Sequence, residues 1–185
     1  MKLNRKTRPH AAFTMVEMVG VLAVIAILAS LLTPKIFSAI NEARVSAAAG
    51  SLDSVKAATV SYYSKNGYLP TNSAFDTVLV TGEFLERPFQ CKLGNGEAVV
   101  GVGGQGGPSA GGYKLDGLAN MTATAATTVE CIITNVPVAD AWELSKLMDG
   151  TDLSAPTGAT NDLKGRVEYS HSSGSGNVYI YLGHR

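Results

Sequence analysis

The longest hydrophobic stretch of the chain runs from Phe13 to Thr33 and contains 21 residues, of which only Glu17 is charged. At about 1.5 Å of rise per residue, a helix of this length spans roughly 30 Å, the thickness of the hydrocarbon core of a bilayer. The pattern therefore predicts a helix that can cross a membrane. A carboxylate at the centre of such a helix costs on the order of 3 kcal/mol, so Glu17 is a candidate functional residue.

The hydrophobic pattern changes after Pro34, where apolar residues recur at steps of three and four with polar residues between them. The recurring positions are Phe37, Ile40, Ala43 or Arg44, Ala47 or Ala48, Leu52, Val55, Thr59 and Tyr62. This periodicity predicts an amphipathic helix that continues to about Asn66 and ends at Gly67. Because proline removes a backbone hydrogen bond and clashes one turn back, we expect the helix to bend near Pro34.

The rest of the chain, residues 67–185, has the pattern of a small α+β head with antiparallel strands. Short helices are predicted at 73–80, capped by Ser73, and at 138–148, where Val138, Ala141, Trp142 and Met148 share one face and Gly150 follows. Strands are predicted near 97–101, 112–116, 129–134, 165–170 and 177–182. The last two flank a Gly/Ser turn and predict a hairpin. The expected fold class is α+β, with the long helix packed on a small antiparallel sheet.

The charges before the hydrophobic stretch predict the orientation of the chain. Residues 1–12 contain Lys2, Arg5, Lys6 and Arg8 and no acidic residue. A basic flank on the short side of a membrane helix holds that end in the cytoplasm and sends the C-terminal part across the membrane. Without this leader, 11 Lys and Arg face 15 Asp and Glu, so the net charge changes from 0 to −4. No basic patch remains to indicate a nucleic-acid partner.

The residues at the junction between leader and hydrophobic stretch carry a family resemblance. The order Ala12-Phe13-Thr14-Met15-Val16-Glu17, after a basic leader and before an apolar run to Pro34, resembles type IV prepilins and the pseudopilins of type II secretion. The resemblance implies that a prepilin peptidase cleaves between Ala12 and Phe13 and that Phe13 is then N-methylated. Glu17 becomes the fifth mature residue, the position of the family's signature acid. Ala12 stands where the family usually has Gly.

The resemblance also implies an architecture and a set of partners. Residues 1–12 are the cleaved leader, 13–34 the transmembrane and filament-core helix, 35–66 its amphipathic half, and 67–185 the head of a pilin-like fold. The expected partners are identical subunits, minor pilins, prepilin peptidase and the inner-membrane assembly platform of a bacterium. The precursor is expected in the inner membrane with a cytoplasmic N-terminus, and the mature subunit in an extracellular or periplasmic filament. Glu17 is expected to pair with the freed amine of Phe13 on a neighbouring subunit.

Three other interpretations of the N-terminus stay open at this point. The chain can be a pseudopilin whose short filament serves type II secretion rather than a surface pilus. It can be a secreted protein whose signal peptide is cut near Ala29-Ser30, which would place the new N-terminus near Leu31. It can also be a bitopic membrane protein whose exported domain binds a ligand or is an enzyme.

Two cysteines, Cys91 and Cys131, lie in the part of the chain expected to be exported. An oxidising compartment favours pairing them, and the bridge would close a loop of about 40 residues, worth roughly 3–4 kcal/mol in the chain-entropy model. The sequence therefore predicts a disulfide. The alternative is two unrelated buried thiols.

Other side chains suggest chemistry only weakly. Oxygen donors occur at Asp149, Asp152, Asn161 and Asp162. Some secretion pseudopilins bind calcium in a C-terminal loop, so these residues are calcium candidates, although turns also favour Asp and Asn. The glycines of Gly101-x-Gly103-x-x-Gly106 match a dinucleotide fingerprint without the following helix that it requires. His171, expected at a loop tip, lies in no catalytic motif, so no catalytic residue and no cofactor are predicted.

Overall fold

A computed structural model describes residues 13–70, 74–103, 112–117, 127–172 and 174–184. The helices are α1 (Met15–Asn66), α2 (Phe75–Thr81) and α3 (Val138–Asp149). The strands are β1 (Ala98–Gly103), β2 (Thr128–Pro137), β3 (Asn161–Asp162), β4 (Val167–Ser170) and β5 (Ser175–His184). A long N-terminal helix and a small antiparallel sheet confirm the predicted α+β class. Chain contacts divide the protein into two units, Met1–Ile40 and Asn41–Arg185.

In the first unit, α1 carries its apolar side chains on the outside. Every described residue up to Ile40 is exposed. An 18-residue window of α1 has a mean hydropathy of 2.5 and is 0% buried, so the helix is long and apolar enough to cross a membrane. The helix continues through Pro34 without interruption. The bend expected there stays a prediction.

In the second unit, one face of α1 is buried in the head. The buried residues are Val45, Ala48, Ala49, Leu52, Val55, Ala58, Thr59 and Tyr62, spaced mostly three and four apart as the sequence predicts. The helix ends where expected, because Gly67 adopts a φ of 76° and its N–H donates to the carbonyl of Tyr63 at 2.8 Å. Such a left-handed conformation is accessible to glycine at little steric cost.

The five strands form one antiparallel sheet in the order β1-β2-β5-β4-β3. Alternate residues point to one face, as the pleat requires. Val100, Cys131, Ile180 and Val167 stand in register across β1, β2, β5 and β4, and all four are buried. They join the buried residues of α1 in one hydrophobic cluster. The predicted hairpin is confirmed by the pairing of β4 with β5.

The predicted strand at 112–116 is wrong. Gly112 and Gly117 have φ of 81° and 75°, and residues 115–117 turn instead of extending. The segment lies over the sheet, where Tyr113 is 0% exposed and the N–H of Lys114 donates to Glu168 at 3.1 Å. Ser73, the predicted cap of α2, lies outside the described residues; Ala74 holds the cap position without a side-chain hydrogen bond. Gly101 and Gly103 lie in β1, and Gly106 lies outside the described residues.

Helix α3 begins and ends close to the predicted bounds, and residues of the predicted face contact the core: Ala141 is buried, and the half-buried Trp142 and Met148 pack against the hydrophobic cluster. Its buried residues are Ala141, Leu144 and Ser145. Trp142 is half-buried, and its indole N–H donates to the carbonyl of Ala155 at 2.9 Å. His171 lies in the loop after β4, as expected, but it is buried rather than exposed at the tip: it is only 5% exposed, and its ring lies 5.2 Å from that of Tyr169.

Cys91 and Cys131 are both buried and their thiols are free in the structure, and the disulfide between them stays a prediction. The sulfur of Cys91 accepts a hydrogen bond from the N–H of Leu93 at 3.4 Å, while Cys131 belongs to the inner face of the sheet. Burial raises the pKa of both thiols. Cys91 lies close enough to Cys131 to contribute to the raised pKa of its thiol.

Candidate functional site

The start of α1 is closed by reciprocal hydrogen bonds between Thr14 and Glu17. The backbone N–H and the hydroxyl of Thr14 each donate to Oε2 of Glu17 at 2.8 Å. The N–H of Glu17 donates back to Oγ1 of Thr14 at 3.3 Å. This is a capping box, in which a Thr at the N-cap and a Glu three residues later satisfy each other's backbone N–H groups. It supplies partners for two donors that a helix start otherwise leaves unsatisfied.

The capping box gives Glu17 a role that the sequence analysis missed. The signal was present, because Thr followed three residues later by Glu before an apolar run is the sequence pattern of such a cap. The box uses Oε2, whereas Oε1 accepts no hydrogen bond from the described residues. The positive end of the helix dipole also favours a negative charge in the first turn. Glu17 can therefore cap its own helix and still offer an oxygen to a partner.

The surroundings of the capping box are apolar and exposed. Phe13 is 75% exposed, Met15 89% and Met18 50%. Together with Val19 and Leu22 they line a shallow cavity of about 370 Å³. A carboxylate in this position meets hydrocarbon rather than water once the helix is in a membrane or a helix bundle. Ala12, on the other side of the expected cleavage point, lies outside the described residues.

The carboxylates of two calcium candidates accept hydrogen bonds from within the head, mostly from backbone N–H groups. Asp149 accepts the N–H groups of Arg166 and Val167 at 3.0 and 2.9 Å. Oδ2 of the buried Asp162 accepts the hydroxyl of Ser145 at 2.8 Å and the N–H of Ala155 at 2.9 Å. Burial raises the pKa of Asp149.

The remaining candidates do not complete a metal site. Asp152 is exposed, and Asn161 accepts the hydroxyl of Ser170 at 3.0 Å. The described residues contain no group of three His, Cys, Asp or Glu that could hold a metal ion. The calcium candidates Asp149, Asp152 and Asp162 therefore do not converge on one point there.

Glu168 on β4 is a buried acid that the sequence analysis did not single out. Its Oε1 accepts the N–H of Lys114, and its Oε2 is buried without a hydrogen-bond partner among the described residues. Burial raises the pKa of Glu168 to about 7. Nearby, the hydroxyl of Tyr113 donates to Glu130 at 2.8 Å. The burial of Glu168 could not be predicted from the sequence, because strand alternation predicts that a Glu between Val167 and Tyr169 faces solvent.

His171 is buried beside this strand, and burial lowers its pKa. Glu168 and His171 both lie in the region of β4, yet strand alternation places positions 168 and 171 on opposite faces. The geometry therefore does not join them as an acid and a base.

Comparison with protein-family models, with characterised proteins and with solved structures found no match for the chain. The order of residues at the N-terminus and the geometry of α1 therefore carry the functional interpretation.

Proposed function

We propose that this chain is a pilin, a structural subunit that polymerises through α1 into a type IV pilus-like filament. Its precursor sits in the inner membrane until a prepilin peptidase cleaves between Ala12 and Phe13. The observation that carries the proposal is the uncovered apolar part of α1, which begins directly after the expected cleavage point with a carboxylate in its first turn. An apolar helix with none of its side chains buried requires either a bilayer or other helices around it.

The proposed mechanism follows from this surface. The basic leader holds the precursor with its N-terminus in the cytoplasm. Cleavage removes the four basic residues of the leader and frees an amine on Phe13, four positions before Glu17. Subunits then leave the bilayer, and their apolar helices bundle into the filament core. The lipid contact of the membrane state is replaced by contact with other copies of the same helix.

Glu17 pairs with the amine of Phe13 on a neighbouring subunit in this mechanism. The capping box fits such a role, because it leaves Oε1 for the neighbour while Oε2 stays bound to Thr14. A buried charge without a partner is costly, and removing one member of a buried pair typically costs about 3–5 kcal/mol. The pairing therefore favours the assembled state over a subunit alone in the membrane.

Three variants separate the charge of Glu17 from its capping role. Glu17→Ala removes both, Glu17→Gln keeps a capping side chain without the charge, and Thr14→Ala removes the cap but keeps the charge. The proposal expects all three to be cleaved and inserted in the membrane. It expects filaments to be lost with Glu17→Ala and Glu17→Gln and retained with Thr14→Ala, as counted in sheared surface fractions by electron microscopy.

Two outcomes would contradict this mechanism. Normal filaments from Glu17→Gln would show that the charge is not needed and would leave the capping role alone. A mature protein that begins near Leu31, determined by N-terminal sequencing, would remove α1's apolar part from the product and with it the proposed function.

A further inference from the structure

Among the grooves on the described part of the head, two lie on different flanks of α1. The first, the α1–α3 groove, has a volume of about 370 Å³ and is lined on the α1 side by Glu42, Val45 and Ser46. The second, the loop groove, has a volume of about 830 Å³ and is lined on the α1 side by Ser51, Ser54 and Val55. All of these residues belong to the second unit of the chain.

The α1 residues that line the two grooves are separated by a constant number of positions along the helix. Each α1 residue of the loop groove follows its counterpart in the α1–α3 groove by nine residues. Nine residues are 2.5 turns of an α-helix, so the two grooves lie on opposite sides of the helix axis, about 14 Å apart along it. A copy shifted by this distance along α1 would bring its loop groove to the level of its neighbour's α1–α3 groove.

The lining of the α1–α3 groove combines apolar and acidic side chains. Its α3 side consists of Trp142, Glu143, Lys146 and Leu147, and Leu147 is 56% exposed. The charged residues of its lining, Glu42, Glu143 and Lys146, sum to one negative charge.

Neighbouring charges act on the carboxylates of this groove. Burial raises the pKa of Glu143, and the nearby carboxylates of Asp140 and Glu42 raise it further, while Lys146 opposes the shift. Burial also raises the pKa of Asp140, although Arg44 opposes that shift. Lys146 lies over the ring of Trp142, at 5.0 Å from its centre. A cation from outside would relieve the repulsion among these carboxylates.

The wall of the loop groove has the opposite net charge. Its outer wall is the segment 85–92, in which Arg87, Pro88 and Lys92 are exposed. The charged residues of this wall, Glu86, Arg87 and Lys92, sum to one positive charge. Pro88 is an exposed apolar ring that directly follows Arg87 in the chain, and arginine is enriched in the cores of protein interfaces.

We propose that the 85–92 segment of a second copy of this chain docks in the α1–α3 groove, with Pro88 against Trp142 and Leu147 and Arg87 facing Glu143. The contact joins two different surfaces on opposite flanks of the head, so it is heterologous and leaves an unused groove at each end. Heterologous contacts that do not close into a ring generate open helical filaments. This inference rests on the proposed function, and it assigns the contact between heads that accompanies bundling of the α1 helices.

A charge swap tests the contact in the full-length chain in its own host. Glu143→Arg and Arg87→Glu each place like charges opposite one another, which should lower the amount of sheared filament by at least about tenfold. The double variant restores the opposite charges and should restore filaments to near the wild-type amount. Asp152→Arg and Lys164→Glu, at exposed positions outside both grooves, are matched controls that should assemble normally.

Cysteine cross-linking supplies a second readout that does not depend on charge. Ser46→Cys and Glu86→Cys, both at exposed groove positions, are placed in one chain and oxidised in intact filaments. A heterologous contact links successive copies and gives a ladder of dimers, trimers and longer oligomers on non-reducing gels. The background chain carries Cys91→Ala, because Cys91 lies in the docking segment, and in this background either single variant should give no ladder.

The possible results separate this contact from the proposed function. If the single charge variants assemble normally, or the double variant stays defective and no ladder forms, the head contact is wrong even though wild-type filaments exist. If another protein rather than a second copy is cross-linked at residue 46, the groove serves that partner and the inference fails. If the wild-type chain forms no filaments, the proposed function and this inference fail together.

Discussion

The two parts of α1 are equally helical but differ in what covers their apolar side chains. Up to Ile40 every described residue is exposed, whereas eight residues from Val45 to Tyr62 are buried in the head, and seven of them belong to its hydrophobic cluster. The second part thus buries its apolar side chains within the subunit. The apolar side chains of the first part are exposed and remain available for contact with lipid or with other chains.

This difference shows that one continuous helix can have two separate energetic roles. Substitutions in the second part should act on the stability of the head, because they change packing in its core. Substitutions in the first part should act on insertion and assembly, because the head does not use those side chains. The following predictions test this separation, beginning with the largest expected effect.

The most direct comparison uses two leucines of the same helix. Leu52 is 0% exposed and Leu28 is 54% exposed. Leu52→Ala leaves a cavity in the core and should lower the free energy of unfolding of the head by about 3 kcal/mol. Leu28→Ala should leave it unchanged. Denaturant unfolding in detergent, followed by the fluorescence of Trp142, the single tryptophan, measures both variants. Equal losses would mean that the two parts of α1 are not energetically separate.

The pH dependence of the head should depend on Glu168. Its folded pKa of about 7 lies above its ordinary value of 4.5, so its contribution to stability is complete below about pH 4.5 and is lost as the pH rises through about 7. Glu168→Gln should therefore raise the free energy of unfolding at about pH 8 by roughly 1–2 kcal/mol, allowing for solvent screening, and by less at about pH 5.

Unfolding curves at the two pH values measure this effect, with Glu97→Gln at an exposed position as the control. The same gain for both variants, or a gain for Glu168→Gln that is independent of pH, would contradict a raised pKa at Glu168.

The capping box should matter only locally. Thr14→Ala removes the hydroxyl that binds Glu17, and loss of such a cap costs about 1 kcal/mol of helix stability. Amide hydrogen exchange in micelles should accelerate in the first turn of α1 and stay unchanged in the head. Ser30→Ala, which removes a hydroxyl bonded to the carbonyl of Ile27 inside the helix, is the matched control. Faster exchange around Leu52 would indicate coupling between the two parts.

The smallest effect is expected at the ion pair between Asp53 and Arg166. The two groups lie 3.4 Å apart, and the side chain of Asp53 is 64% exposed. Exposed pairs contribute at most about 1 kcal/mol, so Asp53→Asn should change the free energy of unfolding by roughly 0.5 kcal/mol and less at high salt. A loss as large as that of Leu52→Ala would mean that this contact, rather than the core, holds the second part of α1.

The sequence predicted the elements with strong periodicity and missed features that depend on three-dimensional contacts. The bounds of α1 and α3 and the final hairpin followed from hydrophobic spacing and from Gly67 and Gly150, because these signals are local. The segment at 112–116 did not, since its place over the sheet depends on Glu168, about fifty residues later. The disulfide between Cys91 and Cys131 stays a prediction, because sequence distance does not fix whether the two sulfurs meet.

The sequence identified Glu17 but not its capping contact or the grooves on the head. Glu17 stood out because it is the one charge in the apolar stretch, and the resemblance supplied a role for it in assembly. Its bond to Thr14 is the part that the sequence analysis missed, although the local Thr-x-x-Glu pattern predicts it. The groove residues on α3 could not be identified from the sequence, since they line a groove only because α3 lies beside one flank of α1.

Electron cryo-microscopy of sheared surface filaments, combined with N-terminal sequencing of their subunit, tests the central claim most directly. We expect filaments built from this chain, with a mature N-terminus at Phe13 and the apolar part of α1 bundled at the centre, where the carboxylate of Glu17 lies beside the amine of a neighbouring Phe13. A chain found only in the membrane, or a mature protein that lacks the apolar part of α1, would contradict it.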